Sequence, residues 1–303
     1  MNQPQMDDSD RSRPSDLLRH HYQGNRLAQE GHLAEAVAQW ERSLKEAPQC
    51  VSTHYNLGVA HYRRKDLAKA VNHWQKVIDI EPDHPAANYA LGRAYYEQGR
   101  LERARETFGR LLHTNPNHPG ALSNLGLLLA EENHFEEAIR YFVSAIEANP
   151  KCVEDRYNLG TTWYEQGKYQ EAIKVLNEAV DIQPDYAMAH HNLGLCYYRS
   201  GNYEEGERAF RRAQLCDPDF LPTYFNLGLL YYHWQKYEEA VASYFQAKAR
   251  GFDNSLLRYQ LGLAYSAMDR KDEALELWNS VLADDPNGPL ASEIRARITR
   301  SFT

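Results

Sequence analysis

The chain has 303 residues, of which 43% are hydrophobic and 25% are charged, and its formal net charge is -8. This acidic balance argues against nucleic acid as a partner, because proteins that bind it usually carry a basic surface. No apolar run approaches the roughly 18 residues that a membrane helix needs, and the polar start MNQPQMDDSD lacks the apolar core of a secretory signal, so we expect a cytoplasmic protein without a membrane partner.

The first segment, residues 1–16, is rich in Asp, Ser and Pro and has little apolar content. Such a composition buries too little apolar surface to offset the entropy lost on folding. We therefore predict that residues 1–16 form a disordered N-terminal lead.

A glycine then falls on every thirty-fourth residue. The series is Gly24, Gly58, Gly92, Gly126, Gly160, Gly194, Gly228 and Gly262. A fixed period of this length is typical of stacked helical repeats. With the glycine at position 8 of each unit, the sequence predicts eight repeats, 17–50, 51–84, 85–118, 119–152, 153–186, 187–220, 221–254 and 255–288.

Each repeat has the pattern of two short helices, which we call helix A and helix B. In 153–186, apolar and aromatic residues recur at helical spacing up to Trp163 and again from Tyr169. Gly167 lies between the two runs and suits the end of helix A. Pro184 cannot continue a helix and so ends helix B.

After the last repeat, residues 289–303 predict one more helix. Leu290, Ile294 and Ile298 lie four residues apart among charged residues. This spacing gives one apolar face and one polar face, so we expect 289–303 to be the capping helix that an array of repeats needs.

The recurring glycine lies inside helix A, where it costs about 0.5–1 kcal/mol relative to alanine. Position 20 of the repeat, on helix B, is also small. It holds Ala36, Ala70, Ala104, Ala138, Ala172, Gly206, Ala240 and Ala274. We therefore predict that helices A and B approach closely at these two positions.

These residues together resemble the tetratricopeptide repeat: Asn-Leu-Gly, an aromatic residue three positions on, then Gly, Tyr, Glu, Ala, an aromatic residue and a closing Pro. The resemblance covers 17–288. It implies an all-α, right-handed α-solenoid superhelix whose A helices line a concave groove and whose B helices face outward. It also implies a protein-binding function and names no partner, because this architecture serves many unrelated ones.

Position 6 of the repeat carries a row of amides. It holds Asn56, Asn124, Asn158, Asn192 and Asn226. An amide both donates and accepts hydrogen bonds, so the row could bind the backbone of an extended peptide, and it resembles the asparagine ladder in the repeat domain of O-linked N-acetylglucosamine transferase. Alternatively, these side chains satisfy neighbouring backbone carbonyls between repeats.

Position 12 adds a row of tyrosines. It holds Tyr62, Tyr96, Tyr164, Tyr198 and Tyr232, each preceded by a predicted core residue. Neighbours on a helix point about 100° apart, so we expect the position-12 rings to face the groove and contact peptide. The alternative is that they pack on the adjacent repeat.

The carboxylate clamp known in some members of the family is not predicted here. Asn25 and Asn56 match two of its positions, but His21, Ala86 and Ala90 occupy the other three. Without cations at those positions, a terminal carboxylate would have no strong counter-charge.

We predict no enzyme activity, no cofactor and no metal site. The sequence holds no phosphate-binding glycine loop and no metalloprotease motif. His54 and His61 lie about 10 Å apart along one helix, too far for one metal. The four cysteines are interpreted as small buried thiols.

The favoured function is a protein–protein interaction adaptor or scaffold that binds an extended peptide segment in the groove. One alternative is a self-assembling scaffold or assembly factor with weak self-association. A further one is the substrate-recognition arm of a glycosyltransferase.

Overall fold

The computed structural model describes residues 18–302, and within that range it contains 17 helices and no strand. The predicted all-α class is confirmed for these residues. The predicted disordered lead, residues 1–16, lies outside the described residues. The chain divides into two compact units, an N-terminal unit of residues 1–148 and a C-terminal unit of residues 149–303.

The N-terminal unit contains eight helices among its described residues. They are α1 (Arg19–Gln29), α2 (Leu33–Glu46), α3 (Val51–Arg63), α4 (Leu67–Ile80), α5 (Pro85–Glu97), α6 (Leu101–Thr114), α7 (Pro119–Glu131) and α8 (Phe135–Ala148). Each helix packs against its neighbours in the chain. Odd-numbered helices correspond to the predicted helix A and even-numbered ones to helix B.

The C-terminal unit continues the alternation. It contains α9 (Val153–Glu165), α10 (Tyr169–Ile182), α11 (Ala187–Arg199), α12 (Tyr203–Cys216), α13 (Leu221–His233), α14 (Tyr237–Ala249), α15 (Ser255–Ala267), α16 (Lys271–Asp284) and α17 (Ala291–Phe302). From α3 to α15, the odd-numbered helices begin 34 residues apart.

The last helix, α17, covers apolar surface of the C-terminal unit. Ile294 is fully buried in the core cluster that also holds Trp278 and Val281, and Leu290 and Ile298 pack half-buried against that cluster. The apolar spacing of 289–303 thus corresponds to the face that α17 buries.

The turn after each odd-numbered helix up to α15 contains one residue in the left-handed backbone region. At position 15 of the repeat, Gly31, Gly99, Gly167 and Gly201 have φ between 70° and 87°. Lys65, Asn133, Gln235 and Asp269 take the same conformation with φ between 59° and 62°. A side chain makes this conformation unfavourable, whereas glycine adopts it freely.

Replacing Gln235 with glycine is therefore expected to stabilise the C-terminal unit, by about 0.5–1 kcal/mol. Gln235 is exposed, so little packing is lost. Urea unfolding followed by circular dichroism measures the effect. The reciprocal control, Gly167→Gln, should destabilise by a similar amount, and equal stability of both variants and wild type would contradict the explanation.

The recurring glycine lies under a large side chain of helix B. A Cβ built on Gly92 would lie 2.6 Å from Phe108 Cε1, and one on Gly126 would lie 2.7 Å from Phe142 Cε1. The side chains over the eight glycines all come from position 24: Trp40, Trp74, Phe108, Phe142, Leu176, Phe210, Tyr244 and Trp278. The close approach is thus as predicted, but the group that needs the space is this side chain, four residues after the small residue at position 20.

Candidate partner-binding face

The odd-numbered helices of the N-terminal unit share one face, formed by repeat positions 2, 5, 6, 9, 12 and 13, which we call the helix-A face. A cavity of about 280 Å³ between α1 and α3 is lined by Asn25, Asn56 and Arg63. A second, of about 470 Å³, lies between α3 and α5 and is lined by Tyr55, Tyr89 and again Arg63. In the C-terminal unit, the same repeat positions of α9, α11 and α13 contact one another.

Two asparagines of the predicted row bind the preceding repeat in the same way. Asn56 Nδ2 donates to Asn25 Oδ1 at 2.8 Å, and Asn192 Nδ2 donates to Thr161 Oγ1 at 2.9 Å. Both acceptors occupy position 9 of the repeat before. Asn192 is only 9% exposed, so this side chain mainly holds α11 to α9.

The other asparagines differ because position 9 of the preceding repeat offers them no acceptor. Arg93 occupies that position ahead of Asn124, whose Nδ2 donates instead to Gly120 O in its own helix at 2.6 Å. Asn226 Nδ2 lies 3.4 Å from His191 Nε2. Asn158 is half-buried.

The structure thus gives four of the five amides a hydrogen bond inside the chain. Three of the partners are side chains of the preceding repeat, and the fourth is a backbone carbonyl of the same helix, not the backbone carbonyls of a neighbouring repeat that the alternative named. An amide has two N–H donors and a carbonyl acceptor, so one internal bond leaves capacity for a ligand. Contact with a peptide stays a prediction.

The tyrosine row also bridges neighbouring repeats, through its hydroxyl groups. Tyr62 donates to Glu97 and Tyr96 donates to Glu131, in each case at position 13 of the next repeat. Both rings are half-buried. Burial and the neighbouring carboxylate raise the pKa of Tyr62 and that of Tyr96 to about 12, so both phenols stay protonated at neutral pH and keep donating.

The C-terminal unit repeats this arrangement with basic partners. Arg199 Nε donates to the Tyr164 hydroxyl at 3.3 Å, and the Tyr198 hydroxyl lies 3.0 Å from His233 Nδ1. Tyr232 is half-buried as well. The rings of Tyr62, Tyr96, Tyr164 and Tyr198 are therefore fixed at one end by the next repeat, while part of each ring stays accessible. Contact of these rings with a peptide stays a prediction.

Comparison with known families decides the family. Models described as tetratricopeptide repeats match residues 23–85, 61–128, 162–201, 187–220, 221–248 and 257–288. The chain belongs to the tetratricopeptide-repeat family. A model described as anaphase-promoting complex, cyclosome, subunit 3, matches residues 106–179 of this repeat array. A comparison with curated proteins found no match.

Several solved structures share the fold of this chain. A repeat protein from Parabacteroides merdae is 19% identical, with 82% of this chain and 98% of that chain covered and a TM-score of 0.60. A chain of the APC/C hetero-tetramer Cut9–Hcn1 is 17% identical, with 98% of this chain and 57% of that chain covered and a TM-score of 0.61. YrrB, described as a TPR protein with an unusual peptide-binding site, is 20% identical, with 65% of this chain and 97% of that chain covered and a TM-score of 0.53.

Within residues 18–302, no helix has the length and apolar character that crossing a bilayer requires. In that range no three His, Cys, Asp or Glu side chains are grouped so that they could hold a metal ion. The four cysteines are unpaired; Cys196 is buried, whereas Cys50, Cys152 and Cys216 are only half-buried.

Sequence reasoning missed one cluster between α3 and α4. His54 and His61 lie apart on α3 as predicted, but His73 of α4 comes between them: its Nδ1 is 3.1 Å from His54 Nδ1, and its ring stacks on His61 at a centroid distance of 5.5 Å. The sequence contains an indication of this cluster: His73 directly precedes Trp74, the large residue that faces α3, so His73 is expected near that helix.

Proposed function

We propose that this chain is a non-catalytic interaction adaptor that holds an extended segment of a partner protein along the helix-A face. The proposed contacts are the position-6 amides and the position-12 rings: Asn56, Asn124, Asn158, Asn192, Asn226, Tyr62, Tyr96, Tyr164, Tyr198 and Tyr232. They serve a peptide because amides pair with backbone N–H and C=O groups, and tyrosine gives contact area at low entropic cost.

One observation carries the proposal: half-buried tyrosines are held in fixed positions on the helix-A face by bonds to the next repeat, as in Tyr62 to Glu97 and Arg199 to Tyr164. A ring that is already ordered loses little freedom when a ligand packs on it, which favours binding. Amide side chains beside these rings supply the polar complement.

The comparisons support an interaction role in coarse terms. One solved relative is a subunit of a hetero-tetramer, and another is described by its peptide-binding site. A partner-holding function suits repeats that present similar surfaces within each unit.

Magnitudes set the expected affinity. A hydrogen bond between an amide and a ligand backbone contributes about 0.5–1.5 kcal/mol net. A few such bonds, less the cost of ordering the ligand, give a dissociation constant on the order of micromolar. We therefore propose a reversible adaptor.

Site-specific photo-crosslinking tests the function. A photoreactive phenylalanine placed at Tyr164 is expected to cross-link a partner, and mass spectrometry of the adduct should identify one contiguous segment of it. The same group at Asn177, exposed on α10, is the matched control and should give no such adduct. Equal cross-linking from both positions would contradict binding on the helix-A face.

Alanine variants separate binding from stability. Asn158→Ala is expected to weaken capture of the identified segment several-fold with unchanged melting, because the structure gives its amide no internal role comparable to that of Asn192. Asn192→Ala should also destabilise the fold by about 1 kcal/mol, since Thr161 Oγ1 loses its donor from the next repeat and keeps only its own bond to Tyr157 O. Asn177→Ala is the control for both measurements. If Asn158→Ala and Asn192→Ala lower the stability of the fold but leave capture of the segment unchanged, the asparagines have a structural role only.

Light scattering across a concentration series distinguishes the adaptor from a self-assembling scaffold. We expect a constant monomer mass, and a mass that rises with concentration would favour self-assembly.

A further inference from the structure

The third repeat breaks the asparagine row, and a cavity lies at the break. Position 6 holds Ala90 in place of asparagine, and position 2 holds Ala86. Both alanines line the cavity of about 470 Å³ between α3 and α5. The cavity exists because two small side chains occupy positions where a larger one would fill the space between neighbouring A helices.

The cavity walls are aromatic. Tyr55, Tyr62 and Tyr89 form the sides, and Trp74 of α4 also lines it. The rings are fixed: Tyr55 stacks on His84 at a centroid distance of 5.6 Å, Tyr89 lies 5.0 Å from His118, and Tyr62 lies 5.6 Å from Trp74. A preformed cavity with ordered aromatic walls is suited to one planar apolar side chain, because pairs of aromatic rings attract each other beyond the effect of the area they bury.

The rim of the cavity is cationic. Arg63 and Arg93 line it, both are exposed, and none of the described residues lining it is acidic. Arg93 Nη2 donates to the Tyr62 hydroxyl at 2.9 Å, which holds its guanidinium at the rim. Among residues 18–302, no carboxylate lies within ion-pair distance of Arg63. Arg93 Nη2 lies 3.9 Å from Glu97 Oε1, and this carboxylate also accepts from Tyr62 and pairs with Lys65. Arginine in this setting favours a carboxylate, which it can bind through two N–H groups.

We infer that this cavity, formed by Tyr55, Tyr62, Tyr89 and Ala90 with Arg63 and Arg93 at its rim, is an anchor site for an aromatic side chain flanked by acidic residues in the partner segment. The inference rests on the proposed adaptor function and names the chemistry of its ligand. The aromatic ring enters between Tyr55 and Tyr89, and the neighbouring carboxylates meet the two guanidinium groups. A ligand with basic residues at the same places would face two like charges.

The probe is a capped peptide with a central 4-fluorophenylalanine between two glutamates in a Gly/Ser context, titrated with the full chain and followed by fluorine NMR. The same peptide with lysines in place of the glutamates is the charge control. We expect the glutamate peptide to bind about 10-fold more tightly at low salt, since two partly exposed ion pairs contribute about 1.4 kcal/mol together. Added salt should narrow this difference.

The decisive variant is Ala90→Asn, which restores at this position the residue that five other repeats carry and should fill the cavity without disturbing α5. It is expected to weaken binding of the glutamate peptide by about 10-fold or more, as lost burial of one ring predicts. Ala68→Asn, on the exposed side of α4, is the matched control and should bind as wild type. Circular dichroism melting verifies that both variants fold.

The peptide experiments can fail while the cross-linking test of the adaptor function succeeds. Equal binding of the two peptides, binding unaffected by Ala90→Asn, or no binding of either peptide at millimolar concentration overturns the anchor site. In each case, a partner segment cross-linked at Tyr164 would still support the adaptor function. A cross-linked segment that enters the cavity with an uncharged or basic flank would likewise overturn the inference.

Discussion

Replacing Gly92 with alanine is expected to destabilise the N-terminal unit by about 1–3 kcal/mol, because the new methyl group overpacks the space below Phe108. The Cβ would lie 2.6 Å from Phe108 Cε1 and 2.8 Å from Cδ1, so the ring or the helix has to move. Phe108 is fully buried, which leaves it no free space to enter. Urea unfolding monitored by far-ultraviolet circular dichroism gives the difference in free energy of unfolding.

The same repeat contains the matched control. Gly109 lies in α6, its neighbourhood is open, and no heavy atom lies within 4 Å of a Cβ built there. Gly109→Ala should therefore stabilise by about 0.5–1 kcal/mol, since alanine restricts the unfolded chain and favours the helix. The two alanine substitutions should change the free energy of unfolding in opposite directions.

A double variant tests the contact itself. In a Phe108→Ala background, the side chain that covers Gly92 is removed, so Gly92→Ala should cost at least about 1 kcal/mol less than in wild type. Additive effects of the two substitutions would show that the glycine is required for another reason.

The sequence predicts features that a single stretch of backbone determines better than contacts between helices. The period of the glycines and the closing prolines fix the number and limits of the helices, because each acts on its own stretch of backbone. The residue that covers each glycine was not predicted, since Ala104 and Phe108 both lie on the side of α6 that faces α5 and only the packed structure shows which one reaches Gly92.

The candidate site shows the same limit. The rows at positions 6 and 12 are visible in the sequence, but the partner of each amide depends on the preceding repeat: Asn56 and Asn192 find an acceptor there, whereas Asn124 meets Arg93 and turns to Gly120. The cavity beside Ala90 was present in the sequence only as an interruption of the row. Its aromatic walls come from three helices, so no single stretch of sequence contains it.

Acidification is expected to destabilise the N-terminal unit through the histidine cluster of α3 and α4. Burial, together with His54 and His61, lowers the pKa of His73 to about 4, and burial also lowers the pKa of His61. In the unfolded chain a histidine has a pKa near 6.5. The fold thus favours the neutral rings, so their contribution to stability is complete above about pH 6.5 and is lost progressively as the pH falls toward 4.

The hydrogen bonds fix which nitrogen atoms of the neutral rings donate and which accept. His54 Nε2 lies 3.0 Å from Pro48 O and can only donate there, so a neutral His54 accepts at Nδ1 from His73 Nδ1, 3.1 Å away. Asp66, 3.9 Å from His61 Nδ1, raises the pKa of His61, but burial lowers it by more.

The free energy of unfolding should therefore fall between pH 7.5 and pH 5 by about 1–2 kcal/mol more in wild type than in His73→Gln, a figure reduced for the partial exposure of the ring. Asn72→Ala, exposed on the same helix, is the control and should keep the wild-type difference. NMR titration of the His73 ring gives its pKa directly. A ring that titrates near 6.5, or a His73→Gln variant that loses as much stability as wild type, would show that the cluster does not favour the neutral state.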